Sequence, residues 1–216
     1  MQIYLIGAMG TGKTTIGQAL ALRLQYDFVD TDQLVEQQTQ QSIATIFAEQ
    51  GEAHFRQLEQ KLLQQTLAPM QQIVVATGGG MPCFFDNLKT MKQHGVLIYL
   101  SATPSVLAQR LWQHRSHRPL IAAHGNETTL ADFMQQQLEV REPYYRQAHF
   151  VVNSEQAIDD IVASIAAKVT TFRFVSEPRS TTSKNAVTER RRSEQRGGSV
   201  CGVSDSLNVR MDSFNN

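Results

Sequence analysis

The feature that most constrains this chain is a glycine-rich stretch of eight residues close to its start. It reads G-x-x-x-x-G-K-T, the pattern of a phosphate-binding loop, and it consists of Gly7, Ala8, Met9, Gly10, Thr11, Gly12, Lys13 and Thr14. A short β-branched and aromatic run, residues 3–6, precedes it, and Ile16, Leu20 and Leu24 follow at helical spacing. The loop therefore lies between a strand and a helix, a context that favours phosphate binding over an ordinary turn.

The chemistry of such a loop predicts a nucleotide site. Glycines let successive backbone N–H groups point inward at phosphate oxygens, and the N-terminus of the following helix adds partial positive charge. Lys13 can reach the β- and γ-phosphates, and the hydroxyl of Thr14 can ligate Mg²⁺. We expect Thr15, the next residue of the helix, to contribute to the same site.

Composition excludes several classes of protein. The formal net charge of the 216 residues is zero, so no global charge favours binding to nucleic acid. Two cysteines imply no disulfide framework and favour a reducing compartment. No run approaches the length of a membrane helix, and the start of the chain has no signal-peptide pattern. We expect a cytoplasmic protein that acts as a monomer, without a membrane partner.

The charges are unevenly distributed along the chain. Residues 1–170 hold 12 Lys and Arg against 15 Asp and Glu, whereas residues 171–216 hold 8 against 5. The second segment is rich in Ser, Thr, Arg and Gly, and its apolar residues have no period, which is typical of disorder. The sequence predicts a folded domain at 1–170 and a disordered basic tail at 171–216, whose role it leaves open.

Strand and helix patterns alternate through the first 170 residues. The apolar run at residues 73–76 is typical of a strand covered on both faces, and Thr103-Pro104 is typical of a helix start. The pattern of Phe84, Phe85, Leu88 and Met91 predicts another helix. The alternation predicts an α/β fold with a parallel sheet, helices on both faces and ligands at the carboxyl ends of the strands. A polar segment at 112–124 breaks the rhythm, and we expect it to form a lid.

Two aspartates are the candidate acids. The strand at residues 73–76 ends in glycines without a carboxylate, so Asp30 and Asp32, at the end of the preceding short strand, are the nearest candidates. If this segment is extended, both side chains lie on one side, with Thr31 opposite. Asp30 could hold water on Mg²⁺, while Asp32 could orient the attacking hydroxyl.

Three glycines and two arginines are candidates for binding a second substrate. Gly78, Gly79 and Gly80 form either a flexible turn or backbone pressed against a small ligand. Arg141 shares the inward stripe of Met134 and Leu138, and a buried Arg needs an anion or an ion pair. Arg56, beside Phe55, is a similar candidate. Structural ion pairs with Glu52 or Glu142 are the alternative for these arginines.

Five motifs in order behind the phosphate loop resemble those of shikimate kinase. They are Phe28-Val29-Asp30-Thr31-Asp32, His54-Phe55-Arg56, Ala76-Thr77-Gly78-Gly79-Gly80, Arg118-Pro119-Leu120-Ile121 and Arg141-Glu142-Pro143-Tyr144-Tyr145. The resemblance covers residues 1 to about 168. It implies a P-loop NTPase fold of three layers, with five parallel strands in the order 2-3-1-4-5. It also implies ATP- and Mg²⁺-dependent phosphorylation of the 3-hydroxyl of shikimate.

The resemblance also implies roles for individual residues. Asp32, Arg56, Gly79 and Arg141 match the family's shikimate contacts, with the arginines on the carboxylate and Asp32 on ring hydroxyls. Arg118 matches the lid arginine that reaches the phosphates, and Arg110 lies near the family's adenine contact. The lid histidines match nothing in the family and have no assigned role; they are His114, His117 and His124.

Two other functions stay open from the sequence. A different small-molecule kinase, such as a gluconate kinase, shares the phosphate loop and the general fold, although the glycine turn and Arg118-Pro119 favour shikimate. A nonenzymatic nucleotide-sensing module would be expected to lack Asp32 or the lid arginine, and this chain has both.

Overall fold

Five parallel strands form the central sheet of the protein. This computed structural model describes residues 1–113, 121 and 124–176. The strands are β1 (Gln2–Ile6), β2 (Asp27–Asp30), β3 (Ile73–Ala76), β4 (Gly95–Ser101) and β5 (Phe150–Asn153). Their order is β2-β3-β1-β4-β5, and every neighbouring pair is parallel. The predicted sheet and its strand order are confirmed.

Helices connect the strands and cover both faces of the sheet. They are α1 (Lys13–Leu24), α2 (Thr31–Thr39), α3 (Ile43–Lys61), α4 (Asn87–His94), α5 (Pro104–Trp112), α6 (Glu127–Tyr145) and α7 (Ile158–Ser176). A π-helical turn at Leu62–Leu67 continues α3, and Gly51, with φ 79° and ψ 170°, kinks it. Within the described ranges, no helix has the length and apolar character needed to cross a bilayer.

Alternate residues of each central strand pack into two separate hydrophobic cores, one on each face of the sheet. In β1, Tyr4 and Ile6 face one core, while Ile3 and Leu5 face the other. Side chains of α1 and α7 complete the second core, and those of α2 to α6 complete the first. All five residues of β1 are buried. Full burial of each large aliphatic side chain contributes roughly 1.5–3 kcal/mol, so β1 is anchored firmly behind the phosphate loop.

One predicted helix boundary is wrong. The pattern placed Phe84 and Phe85 in a helix, but the chain forms a short 3₁₀ turn at Met81–Cys83 and α4 begins only at Asn87. Phe84 is extended and Phe85 has a φ of 49°. Both residues therefore lie outside a helix, and the ring of Phe84 packs against the guanidinium of Arg56.

The last helix extends beyond the predicted domain boundary. Helix α7 runs to Ser176, and the chain divides into two units at 177/178. The ring of Phe172 lies 4.9 Å from that of His149 and 6.3 Å from that of Phe150, measured between ring centroids. Residues 171–176 thus belong to the folded unit, and the remainder of the predicted tail lies outside the described residues.

Two truncations distinguish the predicted boundary from the observed one. A chain ending at Ser176 is expected to keep the thermal unfolding midpoint of the full chain. A chain ending at Thr170 loses the Phe172 contacts, and its midpoint should fall by roughly 4 °C, the effect of losing one half-buried aromatic side chain. Differential scanning calorimetry compares the three chains, and equal midpoints for both truncations would contradict a stabilising role for residues 171–176.

Candidate active site

The phosphate loop connects the C-terminal end of β1 to α1. Gly10 and Gly12 both have a φ of 84°, in the left-handed region that favours glycine. Gly12 is the N-cap of α1 and has no side chain that could accept from the first-turn N–H groups. These donors, together with the positive end of the helix dipole, make the loop an anion site.

Lys13 and Thr14 lie where the loop chemistry requires them. The ammonium of Lys13 donates to the carbonyl oxygens of Gly7 and Ala8, both at 2.8 Å, so it lies across the concave side of the loop. The hydroxyl of Thr14 donates to Oδ2 of Asp30 at 2.7 Å. Thr14 and Asp30, the predicted metal residues, thus present two oxygen atoms side by side, and oxygen is the ligand that Mg²⁺ prefers.

Asp30 and Asp32 do not share an extended segment, so the prediction from strand alternation is wrong. Helix α2 begins at Thr31, and Asp30 is its N-cap. Oδ1 of Asp30 accepts from the backbone N–H of Asp32 at 3.0 Å and of Gln33 at 3.5 Å. Asp30 therefore places Asp32 in the first helical turn, where both aspartates still line one cleft.

A cleft of about 740 Å³ runs along the carboxyl ends of the strands. Most of the predicted nucleotide residues line it, namely Met9, Gly10, Thr11, Gly12, Lys13, Thr14, Thr15 and Arg110. The guanidinium of Arg110 donates to the carbonyl oxygen of Ser154 at 2.9 Å and of Gly10 at 3.4 Å. Arg110 thereby ties the phosphate loop to the segment after β5, at the end of the cleft remote from Asp32.

The glycine turn after β3 is shaped by neighbouring side chains. A Cβ on Gly78 would lie 2.7 Å from both Oδ1 of Asp32 and Oε1 of Glu59, and one on Gly80 would lie 2.5 Å from the guanidinium of Arg56. At Gly78 and Gly80 the protein's own side chains leave no room for a Cβ. A bound ligand is therefore not needed to explain glycine at these two positions. Gly79 has ordinary space around it and lines the cleft.

Arg56 is buried within a cage of carboxylates and aromatic rings. It is 7% exposed. Its Nη1 donates to Oε2 of Glu59 at 2.6 Å, and its Nη2 and Nε donate to Glu52 at 2.8 and 3.1 Å. Its guanidinium also lies 4.4 Å from the centroid of the Phe84 ring. The structural ion pair with Glu52 is therefore present, and it fixes Arg56 against the glycine turn.

Glu59 is a site residue that the sequence reasoning missed. Its side chain is fully buried, and its Oε1 has no hydrogen-bond partner among the described residues. Burial raises the pKa of Glu59 to about 7 from an ordinary 4.5, in opposition to the adjacent Arg56. Burial acts against the charge of Arg56 as well, but Glu59 and Glu52 together keep the pKa of Arg56 above its ordinary value. Glu59 lies three residues after Arg56 and four after Phe55, so its place on an apolar stripe was a usable signal.

Arg141 reaches the same turn from helix α6. A Cβ on Gly79 would lie 3.6 Å from Nη1 of Arg141. The side chain is half-buried, and Glu142 pairs with Arg146 at 2.7 Å rather than with Arg141. Tyr145, the last residue of the motif at 141–145, feels the positive charge of Arg141, and its hydroxyl donates to the carbonyl oxygen of Gly79 at 2.6 Å.

Part of the predicted lid lies outside the described residues. This applies to Arg118, the predicted phosphate contact, and to His114 and His117. The ring of His124 lies 4.8 Å from that of Phe133, so it packs on helix α6. The described site therefore consists of the phosphate loop, the two aspartates, Glu59, the glycine turn and three arginines, Arg56, Arg110 and Arg141.

These groups can bind a triphosphate and a small anion side by side. The phosphate loop, Arg110 and Asp32 line one cleft, and Asp32 and Arg56 both lie against the glycine turn. Two arginines beside a glycine turn can bind a carboxylate, and a carboxylate such as that of Asp32 can accept a hydrogen bond from an alcohol. This chemistry is that of a phosphotransferase with an alcohol acceptor.

Comparison with known proteins gives one consistent family. The family model described as shikimate kinase matches residues 9–170. The shikimate kinase of Bacteroides fragilis is 39% identical over 159 residues, which cover 74% of this chain and 88% of that protein.

Two solved structures agree with that family. A shikimate kinase from Bacteroides thetaiotaomicron has a TM-score of 0.74 at 36% identity, covering 79% of this chain and 98% of the other. One from Acinetobacter baumannii, in complex with shikimate, has a TM-score of 0.72 at 33% identity, covering 80% and 94%.

Proposed function

Because this chain belongs to the shikimate kinase family, we propose that it transfers the γ-phosphoryl group of ATP to the 3-hydroxyl of shikimate. The products are ADP and shikimate 3-phosphate. The family uses ATP, and the phosphate loop described above supplies the corresponding site. Phosphoryl transfer passes through a loose transition state, so the protein contributes mainly by positioning the reactants and neutralising charge.

The observation that carries the proposal is the contact between two loops at Gly79. A Cβ on this residue would lie 3.5 Å from the carbonyl oxygen of Gly7 and 3.6 Å from the backbone nitrogen of Met9. On another side it would lie 3.6 Å from Nη1 of Arg141. An anion held by Arg141 at this turn is therefore adjacent to a phosphate held by residues 7–14. Direct transfer between two bound substrates needs this proximity.

The residues of the turn fit a small carboxylated polyol. Arg56 and Arg141 would bind the carboxylate, and the backbone of the glycine turn would support the ring. Asp32 would accept a hydrogen bond from the attacking hydroxyl and take its proton late in the transfer, because aspartate carboxylates are weak bases at neutral pH. Gly78 and Gly80 keep Asp32, Glu59 and Arg56 in place, since a side chain on either glycine would displace them.

The charge of the nucleotide would be neutralised from the other side. Mg²⁺ fits the adjacent oxygens of Thr14 and Asp30, and when bound it neutralises charge on the phosphates. Lys13 and the predicted lid residue Arg118 would contact the transferred phosphoryl group. The segment 112–124, the predicted lid that would exclude water from ATP, lies mostly outside the described residues.

One assay distinguishes the candidate functions. ADP release is measured by coupled spectrophotometry with shikimate, with gluconate and with nucleoside monophosphates as acceptors. We expect kcat/KM for shikimate to exceed that of the other acceptors by at least about 100-fold, since its rigid ring would hold the carboxylate at the arginines and a hydroxyl at Asp32 at the same time. Faster turnover of gluconate would indicate a different kinase, and nucleotide binding without any turnover would indicate a sensing module.

Glu59 predicts a pH dependence of acceptor binding. Its carboxyl group has a pKa of about 7, set by burial and by its neighbours Arg56, Asp32 and Arg141. Because a bound carboxylate would add negative charge beside it, the acceptor should bind best when Glu59 is protonated. We expect the KM for shikimate to rise several-fold between pH 6 and pH 8, while the KM for ATP stays nearly constant.

The Glu59→Gln variant is the control for this pH dependence. It keeps the side-chain shape without the charge, so its KM for shikimate should not change over the same range. The same titration affects the stability of the protein. Because the pKa of Glu59 is raised on folding, its contribution to the free energy of unfolding is full below about pH 4.5 and is lost as the pH rises through 7. An identical KM profile in both proteins would exclude Glu59 as the titrating group.

The setting of this activity follows from the sequence expectations. We place the protein in the cytoplasm, as a monomer whose partner is its small-molecule substrate rather than a nucleic acid. The basic segment after the last helix would not take part in phosphoryl transfer, because the family match ends at residue 170.

A further inference from the structure

Two buried hydroxyl groups hold the glycine turn from opposite sides. Oγ1 of Thr31 accepts from the backbone N–H of Gly78 at 2.8 Å, and the hydroxyl of Tyr145 donates to the carbonyl oxygen of Gly79 at 2.6 Å. Both side chains belong to fully buried residues. Consecutive residues of the turn are thus fixed through one backbone donor and one backbone acceptor.

Each hydroxyl lies on the element that carries a substrate-facing charge. Thr31 is the first residue of α2 and directly precedes Asp32. Tyr145 lies at the end of α6, four residues and one helical turn after Arg141, whose Nη1 lies beside Gly79. The turn is therefore connected to the helix that carries Asp32 through one hydroxyl and to the helix that carries Arg141 through the other.

We propose that Thr31 and Tyr145 are positioning residues of the phosphoryl transfer, whose hydroxyls set the glycine turn against Asp32 and Arg141 so that the acceptor meets the phosphate loop. This inference rests on the proposed function. Neither hydroxyl needs to touch the acceptor; both act through the turn and its charged neighbours. Burial raises the pKa of Tyr145, so its hydroxyl remains a donor throughout the working pH range.

The ring and the hydroxyl of Tyr145 make different contacts, so a positioning role can be tested separately from packing. Its ring stacks on that of Tyr99, with 5.2 Å between ring centroids. Phenylalanine can keep this ring contact and the buried volume while it removes only the hydroxyl. The consequence of Tyr145→Phe is then the loss of the hydrogen bond to the carbonyl oxygen of Gly79.

The test uses four variants of the full chain. Tyr145→Phe and Thr31→Val remove one hydroxyl each, and Thr31→Ser retains it. Tyr99→Phe removes a neighbouring hydroxyl from the same ring pair, so it is the matched control. Shikimate-dependent ADP release gives kcat and both Michaelis constants for each protein, and isothermal titration gives the affinity for ATP.

We expect Tyr145→Phe and Thr31→Val to raise the KM for shikimate about tenfold, the effect of releasing a group that orients a charged contact. Their KM for ATP should stay within about twofold of the parent protein, whereas a loss of packing alone would change both constants. Thr31→Ser and Tyr99→Phe should behave like the parent protein. Shikimate-dependent turnover by the parent protein is the separate requirement of the proposed function.

Three outcomes would overturn the inference while the parent protein remains active. The first is an unchanged KM for shikimate in folded Tyr145→Phe protein, which is the variant least expected to misfold. The second is an equal rise in the two Michaelis constants. The third is the same effect in Tyr99→Phe.

Discussion

Lys13→Ala is expected to lower kcat/KM by about 10³-fold or more while the protein remains folded. The ammonium of Lys13 is directed across the phosphate loop by the carbonyl oxygens of Gly7 and Ala8. Removal of a preorganised donor to developing charge costs roughly two to three orders of magnitude in turnover. Weaker nucleotide binding adds to this loss, since Lys13 would contact the β- and γ-phosphates.

Lys61→Ala is the matched control for this substitution. Lys61 is exposed at the end of α3, so its removal takes away the same side-chain charge without touching the cleft. Its kcat/KM should equal that of the parent protein, and circular dichroism should give similar melting curves for both variants. Full activity in Lys13→Ala would refute the assignment of the phosphate loop.

Asp32→Asn is expected to reduce kcat by roughly 10²–10³-fold with little change in the KM for ATP, the range typical of losing a positioned proton acceptor. The amide keeps the size of the carboxylate and its place in the first turn of α2, so the cleft should retain its shape. Single-turnover measurements with ATP and shikimate would show that the phosphoryl transfer itself is slowed.

The two aspartates of β2, Asp27 and Asp30, sharpen the interpretation of Asp32→Asn. Asp27 is exposed at the opposite end of the strand, so Asp27→Asn should leave kcat unchanged. Asp30→Asn should instead raise the Mg²⁺ concentration needed for half-maximal activity, because Asp30 bonds to Thr14. If Asp32→Asn weakened ATP binding as much as it slowed turnover, a metal role for Asp32 would replace the acceptor role.

The sequence was most informative where one physical effect dominates. The strand at residues 73–76 was predicted with its observed bounds, because a sheet covered on both faces demands a continuous apolar run. Helical periodicity is wrong at Phe84, whose ring lies against the guanidinium of Arg56 instead of joining a helical stripe. Periodicity in the sequence indicates that a side chain is buried. It does not indicate whether the neighbouring group is an apolar side chain or a cation such as a guanidinium.

The structure brings most of the predicted site residues together, but the sequence does not predict the hydrogen bonds that join them. Asp30 precedes Gln33 by three residues, a spacing typical of a helix N-terminus, yet strand alternation was applied to this segment. The sequence does not predict the bond of the Tyr145 hydroxyl because it joins residues far apart in the chain, whereas Glu59 lies only three residues from its partner Arg56. The bond of Tyr145 to Gly79 spans 66 positions. Such contacts become apparent only once the strand order is known.

The sheet itself determines how large an acceptor can be. The phosphate loop leaves β1 and Asp30 ends β2, with β3 and its glycine turn between them. Neighbouring strands are about 4.8 Å apart, so the two walls of the site are separated by roughly 10 Å. A separation of roughly 10 Å matches the width of one six-membered ring and its substituents. The spacing between hydrogen-bonded strands therefore limits the width of an acceptor that fits between these two loops. Point substitutions in the surrounding helices leave that spacing unchanged.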